Sequence, residues 1–176
     1  EALFSVTIPE KIGSFRSLVN TLGKRSFTEF NYRNSATDTA TVFLGLALSN
    51  GESEKQHIMS SLSEKEIEFE DLTDNEMAKL HARHMVGGHQ RPGNERVFRF
   101  QFPERPGALI EFLNKMSQNW NISLFHYRNH GAAYGRVLVG LEIPETDKDS
   151  FSDFLEEMGY RYFEETNNPA YRLFLG

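Results

Sequence analysis

The sequence of 176 residues contains no cysteine, which excludes disulfides, thiolate nucleophiles and cysteine-ligated zinc sites. An excess of positive charge is also missing, because the net charge is −6. Neither half is basic: residues 1–88 hold nine basic and thirteen acidic side chains, and the rest hold ten and twelve. We therefore expect no nucleic-acid partner, since binding to a phosphate backbone depends on clustered lysine and arginine.

Long hydrophobic runs are absent as well. No apolar stretch approaches the roughly 20 residues that span a membrane, and no signal peptide is visible. We expect a cytoplasmic protein with no membrane partner. Because an apolar strand pattern begins directly after Glu1, the chain is expected to be a fragment of a longer polypeptide.

Catalytic motifs are the third absence. The sequence shows no nucleophile motif, no phosphate-binding glycine loop and no G-x-G-x-x-G fingerprint, so no catalytic residues are predicted. His81 and His84 could share one helix face, but no third ligand is near and Arg83 would repel a cation. We expect no metal site.

What the sequence does contain is a repeat. FNYRN at residues 30–34 returns as FHYRN at 125–129, an offset of 95 (127 − 32), and IPEKIG at 8–13 returns as FPERPG at 102–107, an offset of 94 (107 − 13). Such a match predicts two copies of one small unit. Units of roughly 85 residues bury little core alone, so the two should pack together.

Each copy predicts the element order β-α-β-β-α-β. The first helix shows its apolar face at i, i+3, i+4 and i+7 in both copies (Phe15, Leu18, Val19 and Leu22; Leu109, Phe112, Leu113 and Met116). Alternating apolar residues predict the strands. The fold class is therefore α+β: two ferredoxin-like units in tandem, with antiparallel sheets and the helices on one face.

Domain bounds follow from composition. We predict one unit at residues 1–86, a glycine-rich linker at 87–94 and a second unit at 95–176. Each unit should end in a short helix, to about His84 in the first and about Leu175 in the second.

Two glycines mark a possible binding site, Gly13 and Gly107, in the turns between the first strand and first helix of each unit. Backbone N–H groups and the positive end of the dipole make such a turn suitable for a carboxylate. The alternative is a tight turn that needs glycine for its dihedral angles.

The repeated strands carry the other candidates, Tyr32 followed by Arg33 and Tyr127 followed by Arg128. A tyrosine hydroxyl can bond a polar head group while an arginine holds a carboxylate at two points. This combination suits a free amino acid with a branched side chain. The alternative is that the tyrosines are core residues and the arginines are solvated surface.

Several segments resemble a known family: NWNISLFHYR at 119–128, the two P-E-x-x-G turns, DNEMAKLH at 74–81 and ETNNPA at 165–170. Together they are similar to the C-terminal regulatory region of biosynthetic threonine dehydratase, also called threonine deaminase or threonine ammonia-lyase. The resemblance extends over essentially the whole chain.

The resemblance implies two ACT-like units that follow a pyridoxal-phosphate catalytic domain absent from this chain. It implies feedback inhibition by isoleucine, antagonism by valine and a homo-oligomeric parent enzyme that converts threonine to 2-oxobutanoate and ammonia. Its effector-binding residues fall on Tyr32, Tyr127 and Arg128. Gly13 and Gly107 are added as backbone contributors on physical grounds, and no cofactor is expected in this chain.

Three alternatives remain open on the sequence alone. A free-standing amino-acid sensor of the same fold would act on a separate partner protein. A tandem RNA-binding protein is disfavoured because the basic-glycine-aromatic pattern is missing. A small hydrolase would use Arg33 and Asn34, or Arg128 and Asn129, on phosphate.

Overall fold

The computed structural model describes residues 1–33, 38–84, 93–116, 119–128 and 134–175. The first repeat contains β1 (Ala2–Pro9), α1 (Ser14–Leu22), β2 (Phe27–Arg33), β3 (Thr39–Leu46), α2 (Gly51–Glu64) and β4 (Glu68–Asp71). The second contains β5 (Glu95–Pro103), α4 (Ala108–Lys115), β6 (Asn121–Arg128), β7 (Tyr134–Glu142), α5 (Lys148–Met158) and β8 (Arg161–Glu164). The tail helices are α3 (Glu76–Leu80) and α6 (Pro169–Phe174), and 3₁₀ turns span Ala82–His84 and Glu145–Asp147.

All eight strands form one antiparallel sheet in the order β4-β1-β3-β2-β6-β7-β5-β8. Each repeat is a βαββαβ unit, so the predicted fold class of two tandem ferredoxin-like, ACT-like units is confirmed. The second strand is at the edge of each repeat, as the topology predicts. The two edges pair with each other, because β2 lies antiparallel to β6, and this pairing leaves neither edge open to another chain.

Glycines set the helix ends where the chain must reverse. Gly13 and Gly107 precede α1 and α4 with φ angles of 88° and 89°, and Gly159 ends α5 with φ of 64°. In this left-handed region a Cβ atom would be strained. Helix α2 is weakly amphipathic and buries only three side chains (Lys55, Ile58 and Leu62), which explains why its sequence pattern is faint.

The two faces of the sheet differ. On one, here the helix face, the sheet and the helices α1, α2, α4 and α5 share a single apolar core that runs through both repeats. The other, here the tail face, is covered in part by the tail helices. Ala78 of α3 packs against Leu3 and Phe43, and Tyr171 of α6 packs against Val97 and Leu124.

The predicted division at residues 87–94 stays a prediction, because residues 85–92 lie outside the described part of the chain. The tail helices are present where the caps predict them, and the Asn75 side chain accepts a hydrogen bond from the N–H of Ala78 at 3.0 Å. Over the described residues, no helix has the length and apolar character to cross a membrane.

Candidate functional site

The repeated tyrosines lie on the adjacent strands β2 and β6. In this pairing Tyr32 is opposite Phe125, and Phe30 is opposite Tyr127. Tyr32 and Tyr127 are only 3% and 6% exposed and belong to the core of the helix face. The alternative that these tyrosines are core residues is therefore true of their rings, and only their hydroxyl groups make polar contacts.

Each tyrosine hydroxyl donates a hydrogen bond to a carboxylate of its own repeat. Tyr32 donates to Glu10, and Tyr127 donates to Oε2 of Glu104 at 2.6 Å. The two glutamates are the same residue of the repeated P-E-x-x-G turns. The sequence analysis did not identify these glutamates as site residues, although their repetition beside the glycines could have indicated them.

Both hydroxyls have a pKa above the ordinary tyrosine value. Burial is the largest cause that raises the pKa of Tyr32 and of Tyr127, and the neighbouring carboxylates of Glu10 and Glu104 raise each pKa further, since a tyrosinate would face a like charge. Each site therefore presents a neutral donor bonded to a carboxylate. The carboxylate can still accept hydrogen bonds from an ammonium group, because each of its oxygens has two lone pairs.

The turns at Gly13 and Gly107 place uncapped helix ends beside these pairs. No side chain caps α1 or α4. The N–H groups of Ser14 and Ala108 bond the carbonyls of Lys11 and Arg105, and the next N–H groups of each first turn point toward a possible anion. The buried Ser14 hydroxyl, one residue into α1, has no hydrogen-bond partner in the described chain. The positive φ angles show that these turns require glycine; a ligand role for Gly13 and Gly107 stays a prediction.

Two clefts lie between the repeats, and the repeat relates them. The first is between the Gly13 turn and the segment that joins α4 to β6, with the lining side chains Ile12, Phe15, Leu113, Met116, Trp120 and Ile122 among others. The second is between the Gly107 turn and the segment that joins α1 to β2, with Arg25, Phe27, Glu104, Arg105, Leu109 and Tyr127 among others. Positions 25–27 of the second cleft correspond to 120–122 of the first.

The clefts are not equivalent chemically. The second brings together Tyr127, Glu104 and the Gly107 turn, three groups expected of an amino-acid site, in a cavity of about 80 Å³. The first contains the Gly13 turn, but Tyr32 is not among its lining residues and its cavity is about 30 Å³. Only the second cleft therefore collects the predicted residues of one repeat.

Arg128 lies elsewhere. Since side chains alternate along a strand, Tyr127 is in the helix-face core whereas Arg128 lines a groove on the tail face with Arg99 and Arg136. Tyr127 and Arg128 therefore lie on opposite faces of the sheet. A role for Arg128 in effector binding, as charge complementarity or as support for the pocket, stays a prediction.

Arg33, the counterpart of Arg128, is not solvated surface. Its guanidinium is buried against the Glu95 carboxylate of the second repeat, with Nη1 2.8 Å from Oε2. As for the histidines, no group of three or more potential metal ligands exists among the described residues.

Comparison with known proteins identifies the chain. Residues 1–82 and 86–175 match the family described as the C-terminal regulatory domain of threonine dehydratase. The chain belongs to this family. It is 51% identical over 176 residues to L-threonine dehydratase biosynthetic IlvA of Escherichia coli, a match that covers 99% of this chain and 34% of that protein.

Other relatives agree. The mitochondrial threonine dehydratase of Saccharomyces cerevisiae is 41% identical over 183 residues, with 99% of this chain and 32% of that protein covered. The regulatory domain thus spans about a third of the length of the curated relatives it matches. A solved structure of a putative glycine cleavage system transcriptional repressor aligns with 93% of this chain and 94% of its own at 6% identity, but its TM-score of 0.34 is too low to support an inference.

Proposed function

We propose that the regulatory domain binds isoleucine as the inhibitor of a threonine dehydratase and valine as an antagonist of that inhibition. The single observation that carries the proposal is the second cleft. There a protonated tyrosine (Tyr127), a carboxylate (Glu104) and an uncapped helix N-terminus (at Gly107) line one space between the repeats. Tyr32 and Gly13 would serve a related site in the first repeat.

The chemistry of an amino acid matches these groups. The ligand carboxylate would accept hydrogen bonds from the N–H of Gly107 and from the N–H groups that follow Ala108 in the first turn of α4, since those of Arg105 and Ala108 already bond backbone carbonyls. The helix dipole favours negative charge there. The ammonium would lie against Glu104, which Tyr127 holds in place. The branched side chain would contact Phe27 and Leu109, the two largest aliphatic or aromatic apolar residues that line this cleft beside Pro103 and Ala108. Isoleucine and valine share this combination of groups and differ by one methylene.

Binding at this position would be coupled to the arrangement of the repeats. A cavity of about 80 Å³ is below the roughly 300 Å³ at the small end of ligand pockets. An amino acid would therefore have to move the Gly107 turn away from the segment that holds Arg25 and Phe27, and these belong to different repeats. A coupling of about 1–3 kcal/mol would suffice to regulate a distant active site.

The parent enzyme would be a longer, homo-oligomeric, cytoplasmic protein. Its catalytic domain would hold pyridoxal phosphate and convert threonine to 2-oxobutanoate and ammonia, and this chain would contribute no catalytic residue. The match to about a third of the curated threonine dehydratases supports this arrangement over a free-standing sensor.

Calorimetry of the purified chain with isoleucine, valine and threonine tests the proposal. We expect saturable binding of isoleucine and valine, and isoleucine binding at least about tenfold weaker in Tyr127→Phe, since a hydrogen bond to a charged group is worth about 1.5–3 kcal/mol. Tyr162→Phe, on the edge strand β8 and outside the lining of both clefts, is the matched control. The proposal is wrong if neither effector binds, or if Tyr162→Phe weakens binding as much as Tyr127→Phe.

A further inference from the structure

The tail face of the second repeat carries a cationic groove that the proposed amino-acid sites do not use. It has a cavity volume of about 440 Å³, and its lining side chains include Arg99, His126, Arg128, Arg136 and Phe163. Among the described residues that line it there is no aspartate or glutamate. In a chain of net charge −6, such a surface is a local exception.

Two of the arginines face each other directly. Arg128 of β6 is the cross-strand partner of Arg136 of β7, and like charges at opposite positions destabilise a sheet. Glu29 is opposite Arg128 on the other side, but its Oε2 accepts a hydrogen bond from Arg83 Nε at 2.6 Å. Neither Arg128 nor Arg136 forms an ion pair with a carboxylate in the described residues.

An exposed aromatic ring forms the outer wall of the groove. The guanidinium carbon of Arg99 lies 4.7 Å from the centre of the Phe163 ring, and that of Arg161 lies 5.1 Å from it. Phe163 as a whole is 37% exposed. The side chain of Arg99 is about half exposed and also bonds Glu165 at 2.6 Å, so its remaining N–H groups are accessible from the groove.

Comparison with the first repeat shows that the fold does not require these arginines. The positions equivalent to Arg99 and Arg136 are occupied by Ser5 and Thr41, which are uncharged. The equivalent of Arg128 is Arg33, whose charge is neutralised by Glu95. The same sheet is therefore built without the Arg99, Arg128 and Arg136 cluster, and in the described residues neither Arg128 nor Arg136 has a carboxylate within ion-pair distance to offset their juxtaposition.

We propose that this groove is a second ligand site, which takes a small oxyanion of two or more negative charges, such as the phosphate or pyrophosphate group of a metabolite. Planar guanidinium groups match phosphate oxygens at two points each. An anion between Arg128 and Arg136 would replace their repulsion by two attractions. The site is separate from the amino-acid clefts, because it lies on the opposite face of the sheet.

Calorimetric and thermal-unfolding titrations of the purified chain with pyrophosphate, in about 150 mM KCl to screen weak surface charge, test the site. We expect saturable binding and a rise in melting temperature that KCl at equal ionic strength does not give. Arg128→Gln/Arg136→Gln should weaken pyrophosphate binding at least about tenfold. The matched control Lys115→Gln/Lys148→Gln removes two charges from helices on the other face and should leave the affinity within about twofold.

A measurement without ligand separates binding from folding. Arg136→Gln alone, at an exposed position, should raise the melting temperature by about 1–3 °C because the repulsion with Arg128 is relieved, and should reduce the response to pyrophosphate. The site does not exist if pyrophosphate acts no better than chloride, or if the lysine control loses as much affinity as the arginine variant. Self-association that pyrophosphate reverses would also overturn the proposal, since the groove would then hold an acidic surface of a second copy.

Discussion

Arg33 and Glu95 form a buried ion pair that joins the two repeats, although 62 residues separate them. Nη1 and Nη2 of Arg33 lie 2.8 Å and 3.2 Å from the two carboxylate oxygens of Glu95, and the side chains are 1% and 0% exposed. The Ser123 and Tyr171 hydroxyls also donate to this carboxylate. One pair thus connects the first repeat, the second repeat and the tail helix α6.

Breaking this pair should be costly. Arg33→Ala leaves the Glu95 carboxylate buried without its cation, so we expect a loss of about 3–5 kcal/mol in the free energy of unfolding, measured by urea denaturation. Lys148→Ala is the control, because Lys148 and its partner Glu145 are 58% and 83% exposed and such pairs are worth less than about 1 kcal/mol. Equal losses in the two variants would contradict the structural role of the pair.

A second prediction concerns the parent enzyme. Tyr127→Phe in the full-length protein should raise the isoleucine concentration needed for half-inhibition by about tenfold or more, because Glu104 loses the donor that positions it. Threonine turnover without isoleucine should stay within about twofold, since the tyrosine lies in the regulatory domain. Steady-state assays with and without isoleucine measure both. Loss of turnover alongside inhibition would show a structural defect instead.

The tyrosine pKa values predict how stability changes with pH. The pKa of Tyr32 and of Tyr127 is raised in the folded chain above the ordinary value of 10.0. Above about pH 10 the unfolded state binds fewer protons than the folded state, so stability that is fully present below that pH should fall as pH rises. Urea midpoints between about pH 9 and pH 11 measure this fall. It should be shallower in Tyr32→Phe/Tyr127→Phe than in the wild type; an unchanged slope would exclude these two groups.

Gly135 provides a steric test of the Tyr127–Glu104 pair. A Cβ atom at this position would lie 2.7 Å from Glu104 Oε1 and 2.9 Å from Tyr127 Cε2, so Gly135→Ala should push the two groups apart. We expect a loss of about 1–3 kcal/mol in unfolding free energy and weaker isoleucine binding by calorimetry. Gly93→Ala is the matched control, because a Cβ there meets nothing within 4 Å. A neutral Gly135→Ala variant would mean that the pair tolerates displacement.

The sequence alone determined the repeat and most of the local structure. Apolar residues recur at helical spacing in the helices, where Phe112 and Leu113 belong to such a pattern, and they alternate along β2 and β6. Both patterns follow from burial on one face of a single element, which is a local property. The glycines at 13 and 107 have the positive φ angles of a tight turn. The repeated sequence motif was enough to predict a turn at both positions.

Only the tertiary structure decided which surfaces meet. The pairing of β2 with β6 creates the two clefts and places Tyr127 beside residues from the first repeat. It also buries Arg33 and leaves Arg128 in an open groove, although both follow a tyrosine in the same motif. Their difference arises from contacts with distant parts of the chain, Glu95 for Arg33 and the cations of β5 and β7 for Arg128, and no spacing within the motif encodes those contacts.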